Sequence, residues 1–300
     1  MIRLVAALLL FLSFCIAPTQ LYGRDIPPFV STDWLQLNGA NPGLIIIDAR
    51  TGADYEKGHI PGSVNVPVNS WAANSGGLLR ELPGDRDLIV LMGSTGIGEE
   101  SKIVVVGKGV SDFDRADAVR VAWTILVAGV KNVSVLDGGF LKWRNEGKPL
   151  SVEPTAPRER KYTGKIDTSG LASKEYVLGR IGKSVLVDNR TPELFFGIAT
   201  EPWTLQPGHI RGAVNLPTPW VFQENGLLRS AGELESMAKG VVGGDKTREI
   251  ITYCGAGPYA TVWSYILTEL LGYENVKVYD GSMQEWIMDP AGPVEIHRWQ

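Results

Sequence analysis

Apolar positions along the chain come in short β-branched runs, separated by stretches in which they recur at helical spacing. In the second half, the runs at 185–187, 250–252 and 276–279 predict buried strands, while 233–242, 261–271 and 283–288 predict helices. Strands that alternate with helices imply a mostly parallel sheet, because each crossover helix has to pack on one of its faces. In the first half, Leu88-Ile89-Val90-Leu91-Met92 has the composition of a strand, so local preference alone places one there.

The two halves of the chain repeat one another, which changes that last reading. Leu44-Ile45-Ile46-Ile47-Asp48-Ala49-Arg50 answers Val185-Leu186-Val187-Asp188-Asn189-Arg190. Gly58-His59-Ile60-Pro61-Gly62-Ser63-Val64-Asn65-Val66-Pro67 answers Gly208-His209-Ile210-Arg211-Gly212-Ala213-Val214-Asn215-Leu216-Pro217. Gly77-Leu78-Leu79-Arg80 answers Gly226-Leu227-Leu228-Arg229, and Asp137-Gly138-Gly139 with Trp143 answers Asp280-Gly281-Ser282 with Trp286. Blocks kept in order over copies of this length mark a duplicated domain, not a solenoid. The repeat sets 88–92 opposite the helix-like Leu234-Glu235-Ser236-Met237-Ala238, so that segment is expected to be helical. The expected architecture is α/β, with two similar domains, each a mostly parallel central sheet flanked by helices on both faces. Domain 1 covers 25–147 and domain 2 covers 166–290, joined by a proline- and charge-rich linker at 148–165 and followed by a tail at 291–300.

Residues 1–24 carry one arginine, an apolar block at 4–17 and then small and polar residues, the layout of a secretory signal. The block is shorter than the ~20 residues a bilayer core requires, so export to the periplasm or beyond is expected, without a spanning helix. Phe14 stands before Cys15 where a lipoprotein site has a small residue, and the cleavage point is left open between Ala17 and Arg24. The remaining composition, 44% hydrophobic and 21% charged with a net charge of −4, is that of a globular chain. With no basic run, it argues against nucleic acid or an anionic membrane as partner.

The only cysteines are Cys15 and Cys254, so removal of the signal leaves one thiol and no internal disulfide. An unpaired thiol in an exported protein marks a reactive group. Cys254 follows the strand at 250–252 and precedes the helix expected from 261, which puts it at the carboxyl edge of the sheet, where open α/β folds bind ligands. Gly255 and Gly257 let backbone N–H groups converge on one point, and converging donors stabilise an anion. The expected effect on a thiol is a lowered pKa, and the same cradle suits a persulfide, Cys–S–S⁻. Among the histidines His59, His209 and His297, none is placed beside the cysteine by spacing. His59 and His209 recur in both copies although the cysteine does not, so they read as fixing the Gly-His-Ile turn. One cysteine and scattered histidines lack zinc-ligand spacing, so no metal and no cofactor is expected.

Taken together, Asp-x-Arg, the Gly-His-Ile-x-Gly-[Ala/Ser]-Val-Asn-x-Pro block, Cys254-Gly255-Ala256-Gly257 and Asp-Gly-[Gly/Ser] followed by Trp resemble the tandem rhodanese-type sulfurtransferases, from about residue 31 to 289. The resemblance implies that Cys254 is the nucleophile and that Gly255, Ala256, Gly257, Pro258, Tyr259 and Ala260 form its active-site loop. It implies transfer of a sulfane sulfur from thiosulfate, a thiosulfonate, a polysulfide or 3-mercaptopyruvate to a thiol, to cyanide or to a protein acceptor. It also implies a catalytically silent first domain, since the corresponding stretch, Val104-Val105-Val106-Gly107-Lys108-Gly109-Val110-Ser111-Asp112-Phe113-Asp114, has no cysteine.

The chain departs from the family at named positions. Pro258 has no N–H to give the sulfur, and Tyr259 replaces a small hydroxyl residue. Thiosulfate-type members carry a basic residue inside the loop, whereas here Ala256 and the rest of the loop are uncharged, and Leu194 and Phe196 stand where mercaptopyruvate-type members place arginines for a carboxylate. Arg190 reads equally as a substrate ligand and as a structural residue, because Arg50 repeats it; Arg211, replacing Pro61, is a second candidate charge near the site. Trp203, Trp220 and Trp263 are expected to serve core packing. Two other readings are a sulfur-binding or delivery module without turnover and a cysteine phosphatase. The phosphatase requires arginine at the sixth position after the cysteine, where this chain has Ala260.

Overall fold

A computed structural model describes residues 23–204, 206–289 and 292–297. The apolar block at 4–17 and Cys15 lie outside the described residues. In the first domain the strands are β1 (Phe29–Val30), β2 (Leu44–Asp48), β3 (Val64–Asn65), β4 (Ala73–Ser75), β5 (Leu78–Glu81), β6 (Lys102–Val106) and β7 (Asn132–Leu136). Five of them form a parallel sheet in the order β1-β7-β6-β2-β3, while β4 and β5 make a separate antiparallel hairpin. The helices are α1 (Thr32–Asn38), α2 (Gly52–Glu56), α3 (Asp85–Ser94), α4 (Asp112–Val127) and α5 (Gly139–Asn145). The segment 88–92 lies inside α3, as the repeat requires, with Leu88 and Met92 buried and Ile89 and Val90 exposed.

The second domain repeats the plan with β8 (Val185–Asp188), β9 (His209–Ile210), β10 (Val214–Asn215), β11 (Ile250–Tyr253), β12 (Val276–Val278) and β13 (Val294–Glu295). Its parallel sheet runs β10-β8-β11-β12. The helices are α6 (Lys174–Arg180), α7 (Pro192–Phe195), α8 (Ala231–Val242), α9 (Pro258–Tyr265) and α10 (Ser282–Trp286). The helix expected at 261–271 thus begins earlier, at Pro258, whose fixed φ suits a first helical position and whose missing N–H costs nothing there. It ends in a π-helical turn, Ile266–Leu270. Ser111 with Asp114 and Ser230 with Glu233 close reciprocal capping boxes that start α4 and α8.

Alternation along the strands assigns each sheet two apolar faces. Ile47, Ile103 and Val105 point to the layer holding α4, whereas Ile46, Val104 and Val106 point to the layer of Leu35, Phe140 and Trp143 from α1 and α5. In the second domain, Val185, Val187 and Ile250 face α8 and α9, and Leu186, Ile251 and Tyr253 face Val177, Met283 and Trp286 of α6 and α10. One apolar cluster runs through both domains where α4 packs on α9, joining the two sheets through a shared core.

Polar contacts fix the domains further. The side-chain amide of Gln284 pairs with both backbone groups of Leu79, at 2.9 Å each, and Leu82 N–H donates to Asp280 Oδ2 at 2.7 Å. On the opposite side, Leu228 N–H donates to Asp137 Oδ1 at 2.9 Å. The linker lies along domain 1, with Ser151 and His59 exchanging backbone hydrogen bonds at 2.9 Å and Arg160 N–H reaching Gly93 O at 3.0 Å. Within the described part of the tail, β13 pairs antiparallel with β9.

Candidate active site

Cys254 follows β11, between β8 and β12, so its loop opens at the carboxyl edge of the sheet. The residue is 3% exposed. The loop is pinned to the start of α10: Cys254 N–H donates to Ser282 Oγ at 3.1 Å, Met283 N–H to Cys254 O at 3.0 Å, and Gln284 N–H to Gly255 O at 3.0 Å. Gly257, at φ +94°, turns its N–H onto Cys254 Sγ at 3.1 Å. A residue with a Cβ is strained in that region, which gives this glycine its place. Ser282 is itself left-handed (φ +51°), and its hydroxyl donates to Tyr279 O at 3.0 Å, while Cys254 Sγ lies 4.0 Å from Ser282 Oγ.

The expected lowering of the thiol pKa is corrected here. Burial pushes the Cys254 thiol up; the amides of Ala260 and Ala256 and the Ser282 hydroxyl pull it down, and the nearby Glu201 charge adds to the rise. Desolvation of a thiolate in a water-excluded loop outweighs the donors the loop supplies. Pro258 contributes no donor.

Glu201 is the site residue that the motifs did not point to. It lies on a loop that makes the segment from Arg190 to Gly208 ten residues longer than the one from Arg50 to Gly58. Thr204 holds the loop turn, accepting Glu201 N–H on its hydroxyl at 3.1 Å and donating its own N–H to Glu201 O at 3.0 Å. The carboxylate lies over Gly255, where a Cβ would overlap it, and 3.8 Å from Arg190 Nη1. Its Oε2 is buried with no hydrogen-bond partner, and burial pushes its carboxyl up to about 7. Comparing the lengths of the two copies was the available signal for this loop.

Arg190 is held by the structure in a role that its twin shares. Its Nε and Nη2 bond Asp188 at 3.0 and 2.6 Å, and Nη2 also bonds Gly208 O at 2.7 Å. Arg50 does the same with Asp48, at 2.9 and 2.6 Å, and with Gly58 O at 3.0 Å. What distinguishes Arg190 is the Nη1 edge turned toward Glu201. Arg211, 59% exposed at its side chain, pairs with Glu295 of β13 at 3.8 Å rather than with any group of the cysteine loop.

His209 bonds Phe195 O through Nδ1 at 2.8 Å and stacks on the Phe195 ring. His59 bonds Tyr55 O at 2.9 Å and stacks on Tyr55. Both rings brace the turn before β9 or its counterpart in domain 1. Trp263 is fully buried, as expected, but Trp203 and Trp220 are 43% and 52% exposed, which corrects the core reading for both. Trp203 belongs to the inserted loop, which has no layer above it. Trp220 sits in a 3-10 turn that buries Thr218 and Val221 instead.

The first domain forms one wall. Phe113 of α4 meets Tyr259 edge to face at 5.9 Å, Arg80 lies over Phe113 at 5.0 Å, and Arg80 pairs with Asp117. Burial pushes the Tyr259 phenol up to about 12. The corresponding loop of domain 1 keeps the same framework without the thiol: Phe140 N–H donates to Gly107 O at 2.8 Å and Leu141 N–H to Lys108 O at 3.1 Å. Gly107 therefore stands where Cys254 stands in domain 2. Among the described residues no group of histidine, cysteine and acidic side chains suits a metal ion, and no helix is long and apolar enough to cross a membrane.

Two sister α/β domains, one presenting a buried cysteine where the other has glycine, define a tandem rhodanese-type sulfurtransferase. The rhodanese-like domain family matches residues 31–146 and 173–289, and the chain belongs to that family. It is 32% identical over 277 residues to a putative thiosulfate sulfurtransferase of Mycolicibacterium smegmatis, covering 89% of this chain and 97% of that one. It is 31% identical over 271 residues to the sulfur carrier protein TtuD of Thermus thermophilus, covering 86% and 92%. The crystal structure of SseA from Escherichia coli, described as a 3-mercaptopyruvate sulfotransferase, superposes with a TM-score of 0.74 at 28% identity, covering 86% of this chain and 99% of that one.

Proposed function

We propose that this protein transfers a sulfane sulfur through a persulfide on Cys254. The observation that carries the reading is the Gly257 N–H aimed at Cys254 Sγ at 3.1 Å, inside a loop closed off from water. The thiolate attacks the outer sulfur of the donor and a new S–S bond forms. With thiosulfate the old S–S bond breaks and sulfite leaves with its electron pair; with 3-mercaptopyruvate the C–S bond breaks and the pyruvate carbanion takes a proton. A thiol or cyanide then attacks the outer sulfur of the persulfide, and the Cys254 thiolate is the leaving group. Amides that face the sulfur stabilise negative charge on it in both states.

Thiosulfate, thiosulfonates, polysulfides and 3-mercaptopyruvate remain the candidate donors. The Glu201 carboxylate beside the loop disfavours small anions when ionised, and Leu194 and Phe196 offer a carboxylate no cation. Intact-mass spectrometry after exposure to each donor should show one added sulfur, absent from Cys254→Ser; no adduct from any of them would overturn the reading. A second reading, delivery of persulfide sulfur to a protein acceptor without appreciable turnover on small thiophiles, is favoured by the likeness to a sulfur carrier protein. Loaded protein that transfers sulfur to a partner protein but not to cyanide or a small thiol would select it.

The reading includes export, on the evidence of the sequence at 1–24. Arg24 is buried, bonding Val133 O and pairing with Glu269, so cleavage is proposed upstream of it. N-terminal sequencing of the secreted protein tests this, and a cytoplasmic chain with an intact start would refute it.

A further inference from the structure

Behind the cysteine loop lies a charge contributed by the domain that has no cysteine. Arg120, on α4, is 1% exposed. Its guanidinium bonds both oxygens of Asp280, with Nη2 to Oδ2 at 3.0 Å, and reaches Arg80 O at 3.0 Å; its face lies 4.9 Å from the Trp123 ring. The pair touches the loop itself. A Cβ at Gly257 would sit 3.1 Å from both Arg120 Nη1 and Asp280 Oδ1, so the left-handed turn that aims the Gly257 amide at sulfur is laid directly against this ion pair.

We propose that Arg120 of the cysteine-less domain is a positioning residue for sulfur transfer at Cys254, fixing the Gly257 amide on the sulfur and supplying the cation that faces its negative charge. This rests on the reading of Cys254 as the sulfur-carrying nucleophile.

A lock between domains does not by itself account for the arrangement. Gln284 on Leu79, Leu82 on Asp280 and the apolar packing of α4 on α9 already hold the interface. The duplicated site gives an internal comparison: Asp137, the counterpart of Asp280, also takes a leucine amide from the other domain at 2.9 Å. There the neighbouring arginine, Arg115, bonds Asp112 at 2.8 Å and Gly109 O at 2.9 Å instead. Arg115 belongs to the same domain as Asp137, so the guanidinium that crosses from one domain onto this aspartate is found on the side that has the sulfur. The groups facing Cys254 are Arg120 from α4, Glu201 from the inserted loop and Tyr259 from α9. Those facing Arg120 are Asp280, Glu81 from β5 and, on its own helix, Asp117. Arg120 is the cation among them, and burial in a low dielectric makes its interaction with a thiolate or persulfide strong.

The test is the pH dependence of Cys254 alkylation by iodoacetamide in the full chain, read by mass spectrometry on the Cys254 peptide. In R120Q the midpoint should rise by about one pH unit, slowing alkylation about tenfold at neutral pH. R120K, which keeps the charge but loses the forked geometry, should recover part of the shift. D280N removes the carboxylate that offsets Arg120 and should move the midpoint the opposite way, downward. A merely structural pair predicts the same direction for R120Q and D280N, or thermal destabilisation with no movement of the midpoint, and either result overturns the proposal. Should R120Q fail to fold, D280N decides, since an unchanged or raised midpoint there is also contrary. Alkylation reads the thiol whether or not any donor loads it, so failure of the sulfur-transfer reading would show separately, as absence of persulfide in the wild-type protein.

Discussion

The carboxylate of Glu201 covers Gly255 so closely that a β-carbon on that glycine would overlap both of its oxygens. The contact sets a negative charge beside a thiol that must ionise to react. Because burial lifts the Glu201 carboxyl to about 7, the group is mostly neutral below that pH and mostly charged above it. Glu201→Gln should therefore speed persulfide loading from thiosulfate by several-fold to about tenfold at pH 8 and change it little at pH 6. Single-turnover loading followed by mass spectrometry at the two pH values measures this. An equal ratio at both would show that the carboxylate acts by shape, not by charge.

Gly257 is a different case, because its neighbours are a rigid ion pair instead of a flexible side-chain end. Gly257→Ala forces a Cβ into a left-handed conformation at a cost of about 1–2 kcal/mol and presses it against Arg120 and Asp280. Loss of that much stability in urea unfolding is expected, together with a loss of persulfide loading of at least about tenfold as the amide leaves the sulfur. Gly255→Ala, whose new Cβ has the movable Glu201 carboxylate as its nearest neighbour, should keep stability near wild type. Equal losses in the two variants would contradict the distinction.

How much of this was legible in the sequence follows from what repeats. Residues that brace the fold appear in both copies, so self-similarity makes the Gly-His-Ile turn and the helix at 88–92 legible, the latter against local strand preference, whereas the repeated Asp-x-Arg leaves Arg190 open between brace and substrate ligand. The carboxyl-edge position of Cys254 followed from strand and helix order. What escaped is present in one copy only or depends on depth. Glu201 sits in an insertion without a counterpart, and nothing in its local sequence says that it folds over a glycine more than fifty residues away. Arg120 reads as one polar position in a helix that is buried on nearly all sides, and its partner belongs to the other domain. The direction of the thiol shift turns on how far water is excluded, a tertiary property no motif encodes.

The Asn of each Gly-His-Ile block offers a stability test of the duplication. Asn65 Nδ2 donates to Asp48 O and Arg50 O at 2.9 Å each, and Asn215 Nδ2 donates to Asp188 O and Arg190 O at 2.9 Å each. Each amide ties together the carboxyl ends of two neighbouring parallel strands. Asn65→Ala and Asn215→Ala should each cost ~1–3 kcal/mol in equilibrium unfolding, because the carbonyl of Arg50 or Arg190 loses its side-chain donor while that of Asp48 or Asp188 keeps only the backbone N–H of Val66 or Leu216. A near-neutral effect in either would mean that water replaces the side chain at that site.

Three partly buried carboxyls tie stability to pH. Glu81, in the interface with Asp280, is pushed up to about 8 by burial and by the Asp280 charge; Glu201 is pushed up to about 7 and Asp117 to about 6, in both cases chiefly by burial. Each titrates near 4 to 4.5 in an unfolded chain, so between there and its folded value the native state binds protons that the unfolded state does not. Their stabilising contribution is complete at low pH and is lost as pH rises through about 6, 7 and 8 in turn. The thermal midpoint should therefore fall between pH 5 and pH 8.5. Glu81→Gln keeps a polar group beside Gln284 but removes the ionisation, and should flatten the upper part of the decline. A midpoint that rises steadily across this range, or a Glu81→Gln profile parallel to the wild type above pH 7, would rule out interface carboxyls as the source.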